Sequence, residues 1–561
     1  MEIGLLGKIS AVRRAERSAC FLPRWLFLRL LGSAYLIAFI SLWTQIQGLV
    51  GHQGILPVED YLKGVGDQLG PGRYWWLPTF CWFNASDSFL HLQCATGALC
   101  SLLLIAGVAP VLDLVFLWAI YLSLSTVCRE FLGFQWDILL LETGFLAIFL
   151  APRQWLPKFR RETPPSVTVL WLCRWLLFRL MFMSGAVKLL SGDPTWWNLS
   201  ALTVHYETQP LPTWIGWYAH QLPFWFQKLS VAILFAIELA APFLIFFGRR
   251  SRQIACGAFV LLMLLICLTG NYCFFNWLTV TLSVLLLDDS FLLRLAPASV
   301  AAFVRRRLTP PARPDQESRR PRGNALSSLG AGRPPLDAPP TPPEEGSQPV
   351  TAPVHSQYRD GSGKGFWIVV RTVGVGALAA ILLLVSGAET VARLFGRQSL
   401  PRPLLDLLEL VSPLRTINSY GLFAAMTTTR PEIIVEGSND RRTWLPYEFK
   451  WKPGDLQRRP AFVAPHQPRL DWQMWFAALG DYRGNPWFMN FLARLLRGSP
   501  QVLGLLERNP FPEKPPRYVR AVLYEYHFTG LAERRATGEW WRRERKGLYC
   551  PEVSLRQNNR D

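Results

Sequence analysis

Apolar and polar residues are not evenly mixed along this chain; the apolar ones gather in long blocks divided by short polar segments. Eight blocks precede residue 295, at about 25–47, 89–107, 111–127, 136–151, 168–190, 228–248, 253–270 and 275–293, and a ninth runs from Phe366 to about Ala388. A helix needs roughly 18 or more such residues to cross a hydrocarbon core about 30 Å thick. Most blocks meet that length, while 111–127 and 136–151 are short enough to suit displaced or re-entrant helices. The first block is too long for a signal-peptide core and no small-x-small site follows it, so it reads as a retained span. The pattern predicts a multi-pass α-helical membrane protein of about nine spans with a small soluble α+β C-terminal domain.

That domain is expected over 395–561, where the periodicity changes. Glu432–Val435 and Tyr447–Trp451 read as strands around a turn at Gly437-Ser438-Asn439-Asp440. Asp471 reads as the N-cap of a helix through Ala478, Pro486 opens another through Leu496, and Val519–Phe528 alternates like a strand. Residues 296–365, rich in Pro and Arg, bury too little surface to offset their chain entropy and read as a disordered cytosolic linker. Their GSGKG string lacks P-loop spacing and a preceding strand. The remaining divisions are a basic cytosolic N-terminus at 1–24, an eight-span core at 25–295 and the ninth span with its flank at 366–394.

Composition adds direction. The 561 residues are 50% hydrophobic and 18% charged with a net charge of +19. In a soluble chain such a charge would suggest nucleic acid, but membrane proteins collect Lys and Arg in cytosolic loops, so no nucleic-acid partner is expected. With the N-terminus cytosolic, the inside segments hold 23 Lys and Arg and the outside loops 3, or 12 against 3 without 294–364. Nine spans then carry the C-terminal domain to the extracytoplasmic side. Five of the ten Cys (Cys94, Cys100, Cys173, Cys256 and Cys267) lie in apolar blocks, and no disulfide framework or CxxC motif is legible. GxSxG, HExxH and paired Cys/His ligand spacings are absent too, so neither metal nor cofactor is expected.

Charges inside spans are expensive and usually face a partner or a wet cavity. Here they are Asp137 and Glu142 in the fourth block, Arg174 and Arg179 in the fifth, Lys188 at its outer end and Glu238 in the sixth; Arg179 with Glu142 or Glu238 is the favoured buried ion pair. The loop 189–227 has no Lys or Arg, and Trp196, Trp197, Trp214, Trp217 and Trp225 suit a membrane interface. His205 and Glu207 make an acid/base pair only if the backbone between them bends. Asn84 and Asn198 head glycosylation sequons in loops placed outside.

Several strings together resemble the lipase maturation factor family, its second paralogue more than its first. They are GHQGILPVEDYL (51–62), FQWDILLLETGFLAIFLAP (134–152), RWLLFRLMFMSGAVKL (174–189), TVHYETQPLPTW (203–214), TGNYCFFNWLT (269–279), NSYGLF (418–423) and PHQPRLDWQMWFAALG (465–480). The resemblance implies a protein of the endoplasmic reticulum membrane with a luminal C-terminal domain. It also implies help to secreted lipases of the lipoprotein lipase type as they fold and pair into active dimers. Surface for such a client is then expected at Trp196, Trp197, His205, Tyr206, Glu207, His466, Arg469, Asp471 and Trp472. The chain departs from the second paralogue in its linker, which replaces further apolar segments, and in lacking a C-terminal extension. Its Arg- and Pro-rich linker also suits a bacterial member, which would sit in the inner membrane with a periplasmic domain.

The stretch GAVKLLSGDPTWW (185–197) is distantly similar to the vitamin K-dependent carboxylase, placing Lys188 where that enzyme has its catalytic base. The alternative this implies is a membrane enzyme using Lys188 near Glu142, His205 and Glu207, although no His lies around Gln135–Leu140. A transporter ranks last, since no internal repeat is visible.

Overall fold

The computed structural model describes residues 20–156, 164–299, 301–302 and 362–555, with side chains of the last span described from Gly374 onward. Residues 1–19 and nearly all of the expected linker therefore lie outside the described residues.

Among the described residues, seven helices are long and apolar enough to cross a membrane: α1 (Phe21–Trp43), α2 (Asp87–Ala106), α3 (Pro110–Val127), α5 (Val167–Leu190), α6 (Phe224–Phe235, continued to Phe246), α7 (Arg249–Thr269) and α9 (Ser362–Phe395). Two shorter apolar helices complete the bundle, α4 (Gln135–Leu150) and α8 (Phe275–Ser283, extended to Leu286). The eighth element is shorter than the apolar block because Asp288 caps a separate helix, Asp289–Leu295. Local chemistry sets other ends as well. The Ser86 and Ser166 hydroxyls cap α2 and α5, Pro110 opens α3, and Gly107, at φ +83°, ends α2. In α6 the ladder changes to a π turn at Ala236–Ala240 and a 3-10 turn at Ala241–Phe246, where Pro242 has no N–H to continue it.

Small residues let α1, α2 and α4 approach closely. A Cβ on Gly97 would lie 2.4 Å from the Phe39 ring, so only Gly fits there. Tyr35, Phe39 and Tyr121 fill the centre with edge-on ring contacts at 5.4 to 6.1 Å.

The C-terminal domain is built on an antiparallel sheet in the order β2 (Leu445–Pro446), β1 (Pro431–Ser438), β5 (Tyr518–Phe528), β6 (Trp541–Val553). A second ladder joins β3 (Glu448–Phe449) to β4 (Leu506–Arg508). Helices α10 (Arg469–Ala478) and α11 (Pro486–Leu496) pack beside the sheet, and α10 lies against β1. Asp471 is not the N-cap: α10 starts two residues earlier, and the Asp471 carboxylate accepts from Trp451 N and Lys452 N at 2.8 and 2.9 Å.

The domain closes one end of the bundle. Loops 48–88, 128–135, 189–227 and 271–274 all touch it: Gly48 abuts Leu505, Gln473 donates to Glu130 O, Trp475 to Thr208 O, and Asn271 to Ala461 O. At the opposite end Leu22 N donates to Asp289 Oδ1, tying the start of α1 to the segment after α8.

Candidate functional site

Two features occupy the junction of bundle and domain: a seam of buried charge and an apolar cavity. The seam begins with Asp137 in the first turn of α4. Arg469, in the first turn of α10, reaches it with two bonds of 3.0 and 3.1 Å, while the Tyr121 hydroxyl donates to the same carboxylate. Both charged side chains are fully buried. One turn further along α4, Glu142 pairs with Arg179 and also accepts from Tyr420 Oη at 2.7 Å and Asn418 N at 3.0 Å. Next to these, Trp136 donates to Gln467 Oε1 at 2.6 Å, and Gln467 N donates to Ser41 Oγ at 2.9 Å. Thus α4 carries a carboxylate for each of two segments of the domain. Arg174 donates to Leu285 O within the bundle.

A second anchor lies on the loop 189–227. Buried Arg430 donates to Glu207 O at 2.6 Å, Pro210 O at 2.9 Å and the Glu432 carboxylate at 2.8 Å, and Lys452 meets that carboxylate at 2.9 Å. Burial pulls the Arg430 guanidinium below its ordinary pKa, against the opposing Glu432 charge. Trp217 sinks under the domain, edge-on to Trp540 at 5.3 Å, in a cluster with Trp541, Tyr526 and Phe528.

The cavity, about 400 Å³, lies between α5, α6, α7 and α8 and is roofed by the short helices Ala201–Thr208 and Trp214–His220. Its apolar wall includes Leu180, Leu234, Ile237, Met263 and Ile266. Among its polar groups, Lys188 Nζ donates to Glu238 Oε1 and Oε2 at 2.9 and 2.7 Å and to Ser184 O at 3.0 Å. All three ammonium hydrogens are thereby engaged. His205 Nε2 lies 3.1 Å from Tyr272 Oη. Gln209 Nε2 donates to Thr269 O and Tyr206 O, so its Oε1 must be the acceptor for the Tyr272 hydroxyl, 2.9 Å away. The hydroxyl proton is committed there, so His205 carries its proton on Nε2 and leaves Nδ1 bare. Burial and the nearby Lys188 charge push the His205 pKa down to about 4, keeping the ring neutral.

Of the residues considered for catalysis, Lys188 and His205 share this cavity, whereas Glu142 is spent on Arg179. Glu207 faces away: its carboxylate takes Phe528 N at 2.6 Å and His527 Nδ1 at 3.1 Å. Two positions apart on a helix put His205 and Glu207 on different faces, so they form no acid/base pair. No cluster of three or more His, Cys, Asp or Glu able to hold a metal occurs among the described residues.

The expected client surface is largely inside the structure. Trp196, Glu207, Arg469, Asp471 and Trp472 are buried, His205, Tyr206 and His466 are half-buried, and Trp197 is 64% exposed. The buried groups are engaged within the fold. Trp196, for instance, donates to Phe423 O, and Trp472 stacks edge-on against Trp136 at 4.8 Å. The interface role expected for the loop tryptophans is corrected likewise at Trp196 and Trp217, while Trp214 meets Phe462 and Trp225 stays exposed. Asn84 and Asn198 are exposed, at the domain end of the bundle. Sequence reasoning missed Arg430, Lys452, Tyr272, Gln209 and Gln467. An Arg next to the apolar strand Ile433–Val435 was the one available hint.

Two family models divide the chain as the structure does: lipase maturation factor transmembrane domain over residues 22–294 and lipase maturation factor C-terminal domain over 416–551. The chain belongs to the lipase maturation factor family. Lipase maturation factor 2 of Gallus gallus is 40% identical over 598 residues, covering 95% of this chain and 81% of its own. Lipase maturation factor 2 of Homo sapiens is 39% identical, with 95% and 83% covered. Lipase maturation factor 1 of Mus musculus is 33% identical, with 97% and 89% covered. No solved structure matches the chain. In this member of the lipase maturation factor family, the transmembrane and C-terminal domains are thus fastened by the Asp137–Arg469 and Glu142–Tyr420 contacts.

Proposed function

We propose that this chain is a non-catalytic maturation factor that assists folding and dimer assembly of a secreted lipase, at the extracytoplasmic face of the endoplasmic reticulum membrane or, in a bacterium, of the inner membrane. The observation that carries the reading is the consumption of the would-be catalytic groups. Lys188 is locked by Glu238 and Ser184, Glu142 by Arg179, and Glu207 by the domain. A general base must instead reach a substrate proton. The names of the relatives and the gathering of Lys- and Arg-poor loops at the domain end support the client and the orientation.

The client surface best suited to an unfinished lipase is a cleft of about 490 Å³ where α4, the loop 421–427 and α10 meet. The groups it presents are Phe476 and Leu479, 44% and 42% exposed at its edge, over buried aromatic rings of Phe134, Trp136, Trp472 and Trp475. Exposed apolar groups on a polar rim are the usual mark of a protein contact. The test is co-expression with a lipase of the lipoprotein lipase type, reading secreted activity per unit of secreted antigen. Phe476→Asp with Leu479→Asp should cut active lipase severalfold; unchanged output rejects the cleft. Replacing the cavity pair together, Lys188→Met with Glu238→Leu, should leave lipase output intact, whereas its loss would favour the enzyme reading.

A further inference from the structure

The cavity beside Lys188 has a shape that client handling leaves unexplained. Helices α6 and α7 pack together mainly through the 3-10 turn at Ala241–Phe246, and above it they part toward the domain. Leu222 and Phe226 on one side of the gap, and Leu261 and Leu265 on the other, line the cavity yet are 40% to 52% exposed. In a membrane those outward faces meet hydrocarbon, so the mouth opens sideways into the bilayer rather than to water. The roof, Ala201–Thr208 and Trp214–His220, closes the end nearest the domain.

A space of this size falls within the range of ligand pockets, roughly 300 to 1,000 Å³. Its chemistry is that of a hydrocarbon guest with a small polar end. The walls are mainly aliphatic over α5, α6 and α7; Ser230, Thr269 and Thr279 donate to carbonyls of their own helices, and the other polar groups form two sets, Lys188 with Glu238 and Ser184 O, and His205 with Tyr272. Their formal charges cancel, because Lys188 and Glu238 pair at 2.7 Å and the His205 ring is neutral. A phosphate headgroup drawn in there would leave water without a free counter-charge and become a buried unpaired ion. An uncharged hydroxyl carries no such penalty.

We infer that this cavity is a binding site for an uncharged membrane lipid, which enters between α6 and α7 with its hydrocarbon chain along the aliphatic wall and a hydroxyl at the bare His205 Nδ1. The inference does not depend on the lipase reading, since lipid occupancy is measured on the purified protein with no client present. Full-length protein in phosphatidylcholine nanodiscs would be photolabelled with a diazirine-bearing monoacylglycerol and, in parallel, with phosphatidylcholine bearing the same chain. Adducts would be mapped by mass spectrometry. The expected result is labelling at Leu234, Ile237, Met263 or Ile266, at least fivefold stronger with the monoacylglycerol and competed by its unlabelled form. Leu265→Trp should reduce it at least threefold by narrowing the mouth from an exposed position where the fold is spared. Ser184→Phe, filling the floor, is the second variant, scored on material that keeps the parental elution volume. Equal labelling by the two lipids, adducts confined to the outer faces of the helices, or labelling indifferent to Leu265→Trp would each overturn the proposal.

Discussion

The α4 side of the bundle and the α6–α7 side solve the same problem in opposite ways. Each holds a buried ion pair, Asp137 with Arg469 on one side and Glu238 with Lys188 on the other. Around Asp137 the carboxylate is held by the Tyr121 hydroxyl and the Arg469 guanidinium, which also donates to Phe131 O, and this partner comes from the C-terminal domain. Around Glu238 a cavity of about 400 Å³ is left, and both partners belong to the bundle. Helices α6 and α7, which bound the cavity on its outer side, are only 28% and 33% buried along their spans. A buried pair in a filled site fastens two bodies together, whereas one on the edge of a cavity gives it a polar end without net charge.

The sharpest way to break the comparison is to remove one partner on each side. Arg469→Met leaves Asp137 as a buried carboxylate without its bonded cation, and unpairing such a group costs about 3–5 kcal/mol. The expected outcome in thermal unfolding is a large drop in midpoint, with the C-terminal domain becoming protease-sensitive while the spans stay folded. Adding Asp137→Leu should recover most of the loss, because apolar groups often replace a buried pair without penalty. Failure of the double variant to recover would mean that Arg469 acts through something besides Asp137.

Lys188→Met should cost less, about 1–3 kcal/mol, because the Glu238 carboxyl, at the edge of a cavity, can take up a proton. The same unfolding assay reads both variants. Equal losses for Lys188→Met and Arg469→Met would erase the proposed difference between a filled and a hollow site.

Much of the bundle was legible because a bilayer forces long apolar runs, and those runs survive any tertiary arrangement. The charges within them were legible for the same reason: Asp137, Glu142, Arg179, Lys188 and Glu238 stand out against apolar neighbours. For Arg179 the sequence offered Glu142 or Glu238, and the structure gives it Glu142; the partner of Asp137 was not legible. Asp137 finds Arg469 332 positions away, and no local pattern marks that docking. Arg469 reads as a surface residue in a polar segment until the bundle buries it. Strand β6 was hidden too, since WRRERKG shows no alternation; its pairing with β5, from Trp541 against Phe528 to Val553 against Val519, makes it a strand. His205 and Glu207 look like partners in sequence and part company once Ala201–Thr208 is helical.

The mildest probe of the comparison is pH, because each side holds a histidine that the fold keeps neutral. His466, beside the seam, has its pKa pushed down to about 4 by burial and by Arg469 and Lys450, and its Nδ1 lies 3.0 Å from Ser41 Oγ. His205, in the cavity roof, is pushed down to about 4 by burial and by Lys188. An unfolded histidine titrates near pH 6.5, so below that pH the unfolded chain binds protons that the native one refuses. Stability contributed by these rings is therefore constant above about pH 6.5 and is lost progressively as pH falls toward 4. Unfolding midpoints recorded at pH 7.5, 6.0 and 5.0 should fall in that order. His466→Gln and His205→Gln should each flatten the slope below pH 6.5, and to a similar degree, because burial and a neighbouring cation hold both rings down to about 4. A slope that only one of the two variants flattens would mean that the other ring is already protonated, or already free of its buried site, in the native protein.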